Sequence, residues 1–292
     1  MSLEDWQLPP VREGRPAPEE LEARRRGTAA YREEPEEGVA VARRLVGGVP
    51  CTFLEVPVPA LTLLYFHGGG YRMGDAEGWL GIASRIALAA RARVILVEYR
   101  LAPEAPFPAA LHDAASVYDA LVTVDEEGLD TPPFVGGDSA GGGLAAALAL
   151  AARGARVPMP AGLVLLSAWL DLTVTKPTYD SNAATDLFIS KRSLREAAEI
   201  YLQLHDPSDP LASPLFADLS GLPPVLLLAS CHEALLGDTT AFASRAAAAG
   251  VPVQAHLIPD VPHAWPAIDP KIPESTTAIA AIAHFLTPQP PP

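Results

Sequence analysis

The chain predicts an open α/β sheet with helices on both faces, and three observations carry that prediction. Short β-rich runs alternate with longer helical runs from about residue 39 onward. Several of the β-rich runs are continuously apolar, as parallel strands covered on both faces are. The gaps between runs are short, which suits helices that cross directly back over the sheet.

Taken in order, residues 1–35 are charged and broken by prolines, with a helix expected over 18–33 (PEELEARRRGTAAYRE). Strands are expected at 39–46, 51–57, 61–67, 93–99, 133–138, 161–168, 223–230 and 253–259. Helices are expected at 78–92, 108–124, 139–154, 238–250 and 273–286, with Gly154 and Gly250 as natural ends. The interval between the strands at 161–168 and 223–230 is longer than a simple crossover needs. It holds the helical stretch SKRSLREAAEIYLQLH. Residues 180–212 are therefore read as an insertion that joins residues 1–35 as a cap over the sheet's C-terminal edge. Residues 36–179 and 213–288 then form the core, and the proline-rich tail 289–292 frays.

Composition removes several function classes. A net charge of −14 on 292 residues works against nucleic acid, whose phosphates need Lys and Arg. It also works against anionic membrane surfaces. Cys51 and Cys231 stand far apart in no metal-ligand spacing, so no metal site is expected. The amino terminus lacks the pattern of a secretion signal, and the longest apolar runs are too short to span a bilayer. A reduced cytoplasmic location is the expectation.

Two motifs carry chemistry. Gly137-Asp138-Ser139-Ala140-Gly141 lies between a strand and an Ala-rich helix, the G-x-S-x-G elbow in its meaningful context. A side chain at either flanking glycine would meet backbone there, and the helix amino terminus at Ser139 favours developing negative charge. His67-Gly68-Gly69-Gly70-Tyr71 follows the strand LTLLYF. Its glycines can turn backbone N–H groups toward a carbonyl oxygen as it becomes an oxyanion. Gly68 and Gly69, with Ala140, are the donors read from this pattern. A phosphate-binding loop would need a following Lys-Ser/Thr pair, and none is present. His67 is read as a brace for its own loop.

These two motifs, together with Glu98-Tyr99-Arg100-Leu101-Ala102-Pro103-Glu104, resemble the hormone-sensitive lipase family of α/β-hydrolases. The likeness runs from about residue 60 through SAWLDLT and DPLASPLFADLSGLPP, which resemble a bacterial branch of carboxylesterases and monoterpene ε-lactone hydrolases. The resemblance implies an eight-stranded sheet with its second strand antiparallel, a helical cap, and cofactor-free hydrolysis of carboxylic esters.

The base is sought among seven histidines. His112 and His284 fall in helices, His205 in the cap and His256 inside a strand. His263 lies just beyond the last strand, where the order serine, acid, histidine requires the base. The acid lies between Ser139 and His263. Glu233 and Asp238 both follow the strand at 223–230, Asp238 also being suited to cap the next helix. Asp260 is too close in sequence to His263. The resemblance favours Glu233, because Glu233-Ala234-Leu235 occupies the family's D-x-L position. His232 and Cys231 take no part.

Tyr71, Trp169, Phe188 and Tyr201 are the candidate pocket lining, each equally suited to be ordinary core. The substrate expected is a small ester of short to medium acyl length. A lactone opened by the same groups is the alternative, and a non-catalytic ligand receptor on this scaffold is the rival from another class. The resemblance also allows a homodimer.

Overall fold

Runs of Val, Leu and Ile build the sheet. The computed structural model describes residues 6–27, 32–124 and 127–287. Among them eight strands form one sheet: β1 (Ala40–Val46), β2 (Val49–Glu55), β3 (Leu61–Phe66), β4 (Ala92–Val97), β5 (Phe134–Asp138), β6 (Leu163–Leu166), β7 (Val225–Ser230) and β8 (Val253–Ile258). Their order is β1-β2-β4-β3-β5-β6-β7-β8. β2 pairs antiparallel with both β1 and β4, and every other pairing is parallel.

The helices are α1 (Glu19–Gly27), α2 (Ala76–Ala90), α3 (Ala109–Asp119), α4 (Ala140–Ala155), α5 (Thr178–Ser181), α6 (Lys191–Leu202), α7 (Leu236–Ala248), α8 (Trp265–Ile268) and α9 (Pro273–Leu286). Successive strand residues point to opposite faces, and the core divides accordingly. Ile95, Leu165 and Leu227 pack with α3, α4 and α7. Val94, Leu96, Leu166 and Leu228 pack with α2 and α9 on the other face. α4 is buried nearly all round, with only Arg153 and Gly154 outside its buried set. Its small side chains let the neighbouring layers approach.

All eight expected strands form. Three helices differ from expectation. Of the helix expected over 18–33, the described part spans Glu19–Gly27, and Arg32 and Glu33 lie outside any helix. The helix expected over 108–124 ends at Asp119 and continues as a π-helical turn over Ala120–Val124. The helix expected from Asp238 begins at Leu236, so Asp238 lies inside it and is not its cap. The short helices α5 and α8 carry too little periodicity to be read from sequence. The tail 289–292 lies outside the described residues.

Because β3, β5, β6, β7 and β8 run parallel, the loops that leave their C-terminal ends share one edge. Two flanking segments pack against that edge. α6 buries Leu194, Ala197, Ala198, Tyr201 and Leu202, spaced as one helix face. It starts with a reciprocal capping box between Ser190 and Ser193. From α1, Arg25 donates to the carbonyls of Arg72 (2.8 Å) and Ala102 (3.0 Å).

Candidate active site

Ser139 occupies the turn between β5 and α4 with φ 52° and ψ −121°. Such a backbone costs a non-glycine residue about 1–3 kcal/mol and persists only where its surroundings enforce it. Here the Ser139 N–H donates to Leu166 O (2.9 Å), and its carbonyl accepts from Trp169 (2.9 Å) and Gly143 (3.2 Å). The flanking glycines are required sterically. A Cβ at Gly141 would stand 2.0 Å from Phe66 O, and one at Gly137 would stand 2.4 Å from the same atom.

The glycine loop after β3 is arranged differently from the sequence expectation. The N–H of Gly68 donates to Asp138 Oδ1 at 3.2 Å. That carboxylate also accepts from Trp79 Nε1 (2.6 Å) and the Tyr65 hydroxyl (3.1 Å). Gly68 is thereby removed as an oxyanion donor, a correction that the run of three identical residues could not reveal. The N–H groups of Gly69 and Gly70 meet no protein acceptor among the described residues. Their φ values of 117° and 63° belong to the left-handed region that glycine tolerates. His67 does brace the loop. Its ring stacks on Tyr99 at 4.3 Å, its Nδ1 lies 2.8 Å from Gly68 O, and Tyr99 donates to its carbonyl. Burial lowers the His67 pKa to about 4, which keeps the ring neutral.

Glu233 and His263 meet at the ends of β7 and β8. Glu233 Oε2 stands 2.9 Å from His263 Nδ1, and both side chains are buried. The carboxylate fixes the tautomer with hydrogen on Nδ1 and leaves Nε2 as the basic nitrogen. Burial works against the charged imidazole, but the hydrogen bond and charge of Glu233 outweigh it and raise the His263 pKa above its ordinary value. His263 is set in place partly by the next residue, Ala264, whose N–H donates to Ser167 Oγ at 3.0 Å.

The other two carboxylates serve elsewhere. Asp238 accepts from the N–H groups of Leu170 and Asp171 (2.9 Å each) and from the Tyr179 hydroxyl (2.5 Å). It clamps the loop after β6, which is why it turns inward instead of capping its helix. Asp260 pairs with His232 at 3.6 Å on the surface.

Ser139 and His263 line one cavity of about 410 Å³ together with Gly69, Gly70, Trp169 and Phe188. Two expected lining residues are absent from its wall. Tyr71 and Tyr201 stack on each other at 3.9 Å, are buried, and join the glycine loop to α6. Trp79 and Ala267, which the sequence reading passed over, do line the cavity. No signal in the sequence separates their faces from ordinary core. Among the described residues no three His, Cys, Asp or Glu side chains gather as a metal site, and no helix is long and apolar enough to cross a membrane.

A family model described as alpha/beta hydrolase fold matches residues 63–267. An esterase of the bacterial hormone-sensitive lipase family superposes with a TM-score of 0.86 at 37% identity, covering 97% of this chain and 93% of that one. The chain belongs to the hormone-sensitive lipase family of α/β-hydrolases. A second family structure, a hormone-sensitive lipase from a metagenome library, superposes with a TM-score of 0.87 at 39% identity over 92% of each chain. An acetyl-hydrolase of Streptomyces hygroscopicus is 40% identical to this α/β-hydrolase over 228 residues, 77% of this chain and 75% of that protein. An esterase of Acinetobacter venetianus is 35% identical over 226 residues, 77% and 74% of the two.

Proposed function

We propose that this α/β-hydrolase is a serine carboxylesterase that cleaves small esters through an acyl-enzyme. Ser139 Oγ attacks the ester carbonyl while His263 Nε2 takes its proton, and Glu233 stabilises the imidazolium through Nδ1–H. The N–H groups of Gly69, Gly70 and Ala140 receive the oxyanion. His263 then protonates the leaving alkoxide. Water activated by the same nitrogen attacks the acyl-serine, and collapse of the second oxyanion returns Ser139 and releases the acid.

The observation that carries this reading is the buried 2.9 Å pair of His263 and Glu233 in a cavity wall shared with Ser139. The esterases and acetyl-hydrolase among the relatives support the ester as substrate class. A cavity of about 410 Å³ falls in the lower part of the range of roughly 300–1,000 Å³ typical of small-molecule sites. That size supports short to medium acyl groups. The free thiols Cys51 and Cys231 suit a reducing, cytoplasmic setting. The segment 180–212 and the N-terminal residues act as the cap, supported by the contacts of α1 and α6 with the glycine loop. Ser139→Ala is expected to abolish turnover of p-nitrophenyl butyrate while leaving the thermal midpoint near wild type. Substantial residual turnover would remove Ser139 as nucleophile.

A further inference from the structure

Glu233 is held in an unusual way for the group that must orient His263. Its carboxylate makes one hydrogen bond, to His263, and Oε1 has no partner among the described residues. Apart from that bond, no hydrogen bond among the described residues fixes the direction of the carboxylate. The backbone of its loop therefore contributes to its placement, and that backbone is gripped by the segment that joins α5 to α6. Asn182 Nδ2 donates to Cys231 O (3.2 Å) and Glu233 O (2.9 Å). Thr185 Oγ1 donates to His232 O at 2.9 Å. Asp186 Oδ2 accepts the N–H of Ala234 at 2.7 Å.

The second oxygen of Asp186 faces the other way. Oδ1 accepts the N–H groups of Phe188 (3.0 Å) and Ile189 (2.9 Å), and both of those residues line the cavity. One carboxylate thus bridges the loop that carries the acid and the wall against which substrate lies. We propose that Asp186 is a positioning residue for the reaction, fixing Glu233 relative to His263 and to the cavity wall. The inference rests on the Ser139–His263–Glu233 reading above.

A neutral group of the same shape cannot replace it. An amide has a single acceptor oxygen, which can serve Ala234 or the Phe188–Ile189 pair but not both. The charge matters separately. Three carboxylates favour the protonated form of His263: Glu233 from the loop after β7, Asp186 from the α5–α6 segment, and Asp138 from the end of β5. Removing the Asp186 charge lowers the proton affinity of His263, so the acid limb of the activity profile moves to lower pH.

The test uses full-length variants assayed on p-nitrophenyl butyrate across pH, with thermal midpoints measured in parallel. Asp186→Asn is expected to lower kcat by about 10- to 100-fold, the scale of a small misplacement of catalytic groups, and to move the acid limb to lower pH. Asn182→Ala removes two contacts without a charge and is expected to lower kcat with the limb unmoved. Asp186→Glu keeps the charge but displaces the oxygens, so kcat falls and the limb stays. If Asp186→Asn does not fold, the other two variants carry the test. A folded Asp186→Asn enzyme with wild-type kcat and limb overturns the proposal, as does a set of variants whose losses follow the thermal midpoint alone. Neither result touches the role of Ser139, which falls only if Ser139→Ala stays active.

Discussion

Glu233 and Asp238 lie five positions apart and are both buried, yet their oxygens meet different partners. Glu233 has an imidazole before it, while Asp238 has two backbone N–H groups and a phenol. The same acid-to-amide change should therefore have opposite signatures. Glu233→Gln should lower kcat by about 10²–10⁴-fold, through loss of the tautomer and of imidazolium stabilisation, with little change in thermal midpoint. Asp238→Asn brings an amide donor against groups that already donate. It should cost about 1–3 kcal/mol of stability while the folded fraction retains its kcat. Steady-state kinetics with denaturant unfolding on both proteins reads the contrast. At this scale chemistry singles out residue types, and Ser139 and His263, picked by motif and chain order, do line one cavity. The sequence was not legible where identical residues compete. Which of Gly68, Gly69 and Gly70 has its N–H taken depends on where the Asp138 carboxylate points, and no one-dimensional pattern records that.

Elements were legible wherever burial imposes a run or a period. β7 is buried at every position and reads as a continuous apolar string. α6 reads from its Leu194, Ala197, Ala198, Tyr201, Leu202 spacing. What the period does not give is the neighbour each buried residue meets, so Tyr201 looked as eligible for the pocket as Trp169. Its ring is instead an internal strut against Tyr71, with Phe107 edge-on at 5.7 Å. Tyr201→Ala should destabilise the fold by about 3–5 kcal/mol, the range for deleting a buried aromatic ring, as read from urea unfolding. A pocket residue such as Phe188, which is half exposed, should cost far less stability when truncated.

At the scale of the molecule, buried ionisable groups tie stability to pH. Burial pushes Asp238 up to about 7 despite its three donors. A carboxyl whose native value exceeds its unfolded value binds its proton more tightly when folded. Its contribution is complete below the unfolded value and is lost as pH rises through about 7. His67, pushed down to about 4 by burial, acts in the opposite sense and adds stability as pH rises from there toward the ordinary histidine range. The Asp238 component is isolated by subtraction. The stability advantage of wild type over Asp238→Asn should shrink as pH is raised across the interval from an ordinary carboxyl value to about 7, as measured by unfolding midpoints.

The Tyr71–Tyr201 stack has a mechanical meaning beyond its packing energy. Tyr71 follows Gly70 directly in the chain, and Arg72, next in line, pairs with Glu196 of α6 at 3.1 Å and donates to Ser193 O at 3.3 Å. The glycine loop and α6 are thus riveted at adjacent residues. If α6 acts as the proposed cap and swings outward to admit substrate, it would drag Gly69 and Gly70 with it and disturb the proposed oxyanion site. Under the proposed mechanism, access and catalytic geometry are coupled through these contacts, and the oxyanion site is in place while α6 is seated.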